Sequence, residues 1–190
     1  MAKSSIKDTV SSGRVLVSDG AWGTYLHQKG LKSGNCPELW CIDHPDKVGE
    51  IAGTYVEAGS DMIETNSFGA SALKLEHYGL SDRAAEINEA AARISSLAAG
   101  QDRWVIASMG PTGKMLITGD VSREELYEAF REQATALEKG GADAICIETM
   151  SDIDEAVLAV KAARENTDLE VICTFTFERT LQGDYRSMMG

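Results

Sequence analysis

One pattern, written twice in the sequence, limits the folds open to this chain. Ala58-Gly59-Ser60-Asp61-Met62-Ile63-Glu64-Thr65 runs from a helix stop through an aspartate and a short apolar stretch to Glu-Thr. Asp143-Ala144-Ile145-Cys146-Ile147-Glu148-Thr149 repeats that order after Gly140-Gly141, and a fresh helix start follows at Ser151-Asp152. Short apolar runs between helix-like segments read as buried parallel strands, and the acid ending each run is presented at a strand tip. Two units on one template imply a repeated α/β architecture with its chemistry at the carboxyl ends of the strands.

Further strands are expected at residues 14–20, 104–108 and 170–176, making five with those at 61–65 and 143–149. Pro45 is placed to open a helix that stops at Gly59. Helical sequence is also expected over 71–78 and 81–99, over a segment from the Ser122/Glu125 capping box to Gly140, and from Asp152 to about Glu165. Residues 1–13 read as a short helix or frayed lead-in, 24–44 as a long polar connection, and 177–190 as a loop-like tail. Strands alternating with helices, without hairpin signals, call for a parallel sheet. Five strands suit either a doubly wound open sheet or the first five of an eight-stranded barrel. The absence of a helix after the fifth strand favours the barrel.

Composition narrows the partners. The chain has 190 residues, 43% hydrophobic, enough for one domain with a real core. A net charge of −12 argues against nucleic acid and anionic membrane. No apolar stretch approaches the roughly 20 residues of a membrane span, and the start lacks a signal-peptide core, so a cytoplasmic location is expected. Cys146 and Cys173 fall within apolar strands and are expected as buried core thiols, not disulfide partners.

Asp19, Glu64 and Glu148 all end predicted strands. Carboxylates gathered at one mouth suit an ammonium group, a metal or general-base chemistry. Asp19 and Glu148, at equivalent places in separate units, are the stronger candidates; the facing of Glu64 depends on strand register. Gly20 and Gly23 either let a ligand approach the backbone closely or simply form a tight turn. Cys36-x4-Cys41-x2-His44 lacks the spacing of a common zinc site and reads as a loop with two thiols. Gly110-Pro111-Thr112-Gly113-Lys114 lacks the full phosphate-loop spacing, and no Cys-His or Ser-His pair points to nucleophilic catalysis.

Four segments together carry a resemblance. Asp19-Gly20-Ala21-Trp22-Gly23-Thr24 resembles the Asp-Gly-Ala-Met-Gly-Thr opening of the homocysteine S-methyltransferases. Ile63-Glu64-Thr65-Asn66-Ser67-Phe68, Met109-Gly110-Pro111-Thr112-Gly113 and Ala144-Ile145-Cys146-Ile147-Glu148-Thr149 follow in that family's order and spacing, and the likeness covers residues 14–190. It implies a (β/α)8 TIM-barrel type of fold, truncated after about five parallel strands, so that 1–190 forms a homocysteine-binding domain incomplete at its C-terminal end. It further implies methyl transfer to the thiol of homocysteine, giving methionine. Asp19 and Glu148 would receive the substrate ammonium, backbone at Gly20 and Ala21 would position the amino acid, and Thr65, Asn66 and Ser67 would line the pocket.

The family's zinc is held by three cysteines from later strands, a region this sequence does not reach. No catalytic or metal-ligating residue is therefore assigned here, and the chain alone is expected to be inactive. Met109-Gly110-Pro111-Thr112-Gly113 is most similar to the corrinoid-linked members, which implies methylcobalamin as donor. With no Asp-x-His-x-x-Gly cobalamin motif present, a partner would bring the corrinoid. The alternative is a non-catalytic half-barrel that binds an amino acid or pairs with another subunit. Unpaired first and fifth strands lead to an expectation of self-association or of a missing C-terminal half.

Overall fold

The computed structural model describes residues 3–187; Met1, Ala2 and residues 188–190, the ends of the lead-in and the tail, lie outside them. Four parallel strands form one sheet in the order β1-β2-β3-β4: Met62–Glu64, Trp104–Met109, Ala144–Met150 and Glu170–Phe175. Each is fed by a helix. The short α1 (Ile6–Ser11), α2 (Trp22–Gln28) and α3 (Trp40–Asp43) precede α4 (Pro45–Ala58), which leads into β1. After α5 (Ala72–Leu75), α6 (Ala84–Ala99) leads into β2, α7 (Arg123–Lys139) into β3, and α8 (Ile153–Asn166) into β4. This arc of βα units has the barrel-type architecture, and among the described residues the sheet is open.

The helix limits follow from local chemistry. Pro45 stands at the first position of α4, and Gly59, at φ 96°, ends it in the left-handed conformation that glycine adopts without a Cβ clash. Ser122 and Glu125 form a reciprocal capping box on α7, and the Asp152 side chain accepts from the first turn of α8. Helices α6 and α7 approach so closely that a Cβ on Gly140 would lie 2.4 Å from the Glu89 carbonyl oxygen.

The repeated aspartates are structural. Asp61 Oδ2 accepts the Val17 N–H at 3.0 Å, and Asp143 Oδ2 accepts the Val105 N–H at 2.8 Å. Each therefore ties the start of its strand to the preceding extended segment. Alternation along the strands then separates two cores. Ile63, Val105, Ala107, Met109, Ile145 and Ile147 pack outward under the helices, whereas Trp104, Ile106, Ala144 and Cys146 pack on the concave face with Ile6, Leu16, Met62 and Ile172. Helix α1 seats beneath that face, where the Ile6 and Lys7 N–H groups donate to the Glu170 carboxylate (2.6 and 3.0 Å) and Trp104 Nε1 donates to the Ser4 carbonyl (2.9 Å).

Four expectations need correction. The expected first strand, 14–20, pairs with β1 only through a Ser18–Met62 bridge. The Asp61 side chain takes the Val17 N–H in place of a carbonyl, which interrupts the ladder, and Val15 and Val17 are left 82% and 56% exposed. The connection over 24–44 is not wholly irregular: α2 runs into it as far as Gln28 and α3 lies near its end, and the two helices bury Trp22, Leu26, Trp40 and Cys41. The tail is not a plain loop, since Glu178–Arg179 (β5) and Tyr185–Arg186 (β6) form an antiparallel hairpin turned at Gly183, φ 94°. Cys173 is exposed, unlike Cys146, because β4 has only β3 as neighbour and its far half is uncovered.

Candidate functional site

The concave face is layered. Apolar side chains occupy its lower rows, and the inward positions at the strand tips are Glu64 on β1, Ser108 on β2 and Glu148 on β3. From Asp61 to Glu64 is three residues and from Asp143 to Glu148 five, so an extra pair in β3 keeps both glutamates on the same face. That register resolves the facing of Glu64: it points into the same cavity as Glu148.

Asp19 joins them from the segment beside β1. Its N–H donates to the Met62 carbonyl (3.0 Å), and its carboxylate accepts from Glu64 N–H (2.8 Å), Trp22 Nε1 (3.0 Å) and the Ser18 hydroxyl (3.1 Å). Burial raises its pKa and these donors oppose the shift. Glu148 accepts from the Ser108 hydroxyl. Burial first, then the neighbouring charges of Glu148 and Asp19, push the Glu64 carboxyl up to about 8.

Thr65, Ser67 and Ser108 form a closed relay. Ser108 N–H donates to Thr65 Oγ1 (3.0 Å), Ser67 Oγ donates to the Ser108 carbonyl (2.7 Å), and the two hydroxyls lie 2.5 Å apart. Since the Ser67 proton is committed to the carbonyl, the Thr65 hydroxyl donates to Ser67. The ring fixes the tip of β1 to β2, and so holds the serine that holds Glu148. Asn66 is committed similarly: its Nδ2 donates to the Pro37 carbonyl at 2.9 Å. At Gly20 a Cβ would come 3.3 Å from the Tyr55 hydroxyl, which donates to the Ala21 carbonyl at 2.9 Å.

The seven residues that the resemblance assigns to substrate binding (Asp19, Gly20, Ala21, Thr65, Asn66, Ser67 and Glu148) line one cavity of about 440 Å³, together with Glu64 and Gly23. That volume is within the usual range for small-molecule sites. Sequence reasoning did not single out Trp22, Glu38, Phe68 or Ser108, which also line it. Ser108 was findable as the inward end of its strand. Buried Glu38 carries no sequence signal; it accepts the Gly69 N–H at 2.8 Å from across the loop. Four carboxylates, Asp19, Glu38, Glu64 and Glu148, line the cavity without a Lys, Arg or His among the described residues. The lining is therefore acidic, a character that favours a positively charged group.

Beside Glu148, the non-glycine Thr149 has φ 59° at a register shift in the β3–β4 pairing. A β-branched residue disfavours this conformation, and it turns the chain sharply after the glutamate.

A family model, homocysteine S-methyltransferase, matches residues 16–188. The chain belongs to the homocysteine S-methyltransferase family. It is 34% identical over 167 residues to a methionine synthase of Mycobacterium tuberculosis and 32% identical over 165 residues to that of Mycobacterium leprae. Those alignments cover 82% and 80% of this chain but 14% of each relative, so the chain spans about one-seventh of their length. Its fold is similar to that of the metallated form of the Escherichia coli homocysteine methyltransferase MmuM, with TM-score 0.76 at 21% identity, covering 95% of this chain and 70% of that one. The apo form of the same enzyme matches with TM-score 0.69.

Cys36 and Cys41 give no support to a metal reading. Cys36 Sγ donates to Glu38 (3.3 Å) and Cys41 Sγ to the Asn66 carbonyl (3.5 Å), roles that need the protonated thiol. Burial pushes the Cys36 thiol up to about 12 and raises Cys41 as well. Among the described residues no group of three or more His, Cys, Asp or Glu could hold a metal ion. No helix among them is long and apolar enough to cross a membrane.

Proposed function

We propose that this chain binds homocysteine and supplies the amino-acid-binding half of a site that methylates its thiol to methionine. The observation that carries this is the anionic cavity at the strand tips, in a chain of this family, with Asp19 and Glu148 already oriented by protein donors. Carboxylates fixed before the ligand arrives need little reorganisation to receive an ammonium group. Asp19 and Glu148 take the ammonium, backbone around Gly20 and Ala21 positions the amino acid, and the Thr65–Ser67–Ser108 ring sets the pocket wall. Asn66 shapes the pocket through its bond to Pro37.

Zinc is the metal the family implies, and the residues described here do not fit it: the thiols act as hydrogen-bond donors or stand apart. No step is assigned to a metal in this chain. Thiol activation belongs to a portion supplying further strands, and the methyl donor we propose is a corrinoid on a partner protein or domain, in keeping with the methionine synthase relatives. Open edges at Val15 and Val17 on one side and at β4 on the other support completion of the sheet by such a portion, or self-association without it. A cytoplasmic setting goes with this reading and with four free thiols.

The test is to supply the cysteine-bearing C-terminal portion of a relative in trans, with zinc and methylcobalamin, and to follow methionine formation from L-homocysteine. Methionine that disappears with Glu148→Ala is expected. Persistent inactivity alongside intact homocysteine binding would favour the second reading, a non-catalytic amino-acid-binding half-barrel.

A further inference from the structure

The three carboxylates at the strand tips are not equivalent. Asp19 has three protein donors and Glu148 has the Ser108 hydroxyl. For Glu64 it is the main chain that is held: its N–H donates to Asp19, and its carbonyl accepts from Ser95 Oγ at 2.8 Å. Among the described residues no donor reaches its carboxyl group, which lines the cavity. The groups around it offer no positive charge. Asp19 faces it from the segment before α2, Tyr55 from α4, and Glu148 and Cys146 from β3. Strand β2 contributes Ile106 and Ser108 on that face, and α6 contributes Ser95.

We propose that Glu64 is a third contact for the ligand's ammonium group, carried as a neutral acid in the free protein and releasing its proton to solvent when the ammonium binds. This rests on the amino-acid reading above and adds to it a residue and a linked proton. An ammonium presents three N–H donors, and Asp19, Glu64 and Glu148 present three acceptors around one cavity. In the free site, two ionised carboxylates beside a third leave the unpartnered one to keep its proton. When the cation enters, the O–H bond of Glu64 breaks and the proton passes to buffer. The ammonium keeps all three of its hydrogens and shares them among three ionised acceptors. The upward shift of the Glu64 carboxyl to about 8 agrees with this assignment. Near pH 7 such a group is about nine-tenths protonated, so release approaches that fraction per ligand bound.

L-Methionine is the cleaner probe, because it has the amino-acid head of homocysteine and no thiol proton to lose. Titration calorimetry at pH 7 in phosphate and in HEPES, buffers of unlike ionisation enthalpy, counts the protons released. The expected result is release of most of one proton per methionine, and affinity that rises up to tenfold per pH unit between 6 and 8. Glu64→Gln, close in shape to the neutral acid, should abolish both the release and the pH dependence. Binding without release, or equal release from the variant, overturns the proposal. If neither methionine nor homocysteine binds, the amino-acid reading fails, and the ammonium contact fails with it. Carbon-detected NMR titration of the free chain then decides the remaining part: a carboxyl titrating near 8 and missing from Glu64→Gln retains the proton-bearing glutamate, and titration in the ordinary carboxylate range overturns it.

Discussion

Replacing Thr65 by valine tests how the site is held. The Thr65 hydroxyl accepts from Ser108 N–H and lies 2.5 Å from Ser67 Oγ, with Thr65, Ser67 and Ser108 exposed by 2%, 0% and 2%. Valine keeps the shape and removes both bonds. Water cannot readily replace them there, so the orphaned Ser108 N–H alone costs about 1–3 kcal/mol. With the second bond included, a loss on the order of 2–3 kcal/mol is expected. At a urea slope of about 2 kcal/mol/M, the midpoint falls by roughly 1 M. Thr65→Ser keeps the hydroxyl and loses one methyl group, for about 1 kcal/mol. Urea unfolding of both variants makes the comparison, and Thr65→Val combined with Ser67→Ala should be non-additive because the two share a ring. A valine variant as stable as the serine variant, or strict additivity, would refute the relay.

Other expectations follow from single contacts. Gly140→Ala sets a Cβ 2.4 Å from the Glu89 carbonyl oxygen and 2.6 Å from Ala92 Cβ, so α6 and α7 must separate. Overpacking of this kind costs about 1–3 kcal/mol, and an unchanged melting temperature would contradict it. Native-state alkylation at pH 8 should label Cys173 first, since it is exposed, whereas burial pushes Cys36 and Cys146 up to about 12; early labelling of either buried thiol in intact-mass analysis would count against this. Glu64 binds its proton more tightly in the folded chain (about 8 against 4.5), so its stabilising contribution is complete below about pH 4.5 and is lost as pH rises through 8. Glu64→Gln should therefore match the native chain near pH 4 and exceed it above pH 8 by up to about 5 kcal/mol. Parallel stability–pH curves would reject that sign.

The repeated Gly-x-Asp…Glu-Thr template was legible in the sequence because it encodes local events, a glycine helix stop and a short apolar strand, whereas the ties its aspartates make, to Val17 and Val105, are long-range. It pointed to the strands around Glu64 and Glu148, and the Asp19 motif added the third acid of the cavity. What stayed hidden depends on neighbours distant in the chain. Whether Glu64 faces inward depends on its register with Trp104–Ile106, which no local pattern fixes. Residues 14–20 have the composition of a strand, yet a side chain of the next unit takes one of their ladder bonds. Cys173 sits in an apolar run but lies on an edge strand, so its burial depends on what lies beside β4. Glu38 reaches the cavity wall through Gly69 and Cys36, contacts set by the packing of a loop.

The most direct measurement compares binding of L-homocysteine with 4-mercaptobutanoic acid, which keeps the thiol and carboxylate and lacks only the amine. If Asp19 and Glu148 receive the ammonium, homocysteine should bind about 10- to 100-fold more tightly, the range expected for a charge-assisted bond of about 1.5–3 kcal/mol, and Glu148→Gln should erase most of that advantage. Equal affinity for the two compounds would contradict the assignment of this cavity to an amino acid.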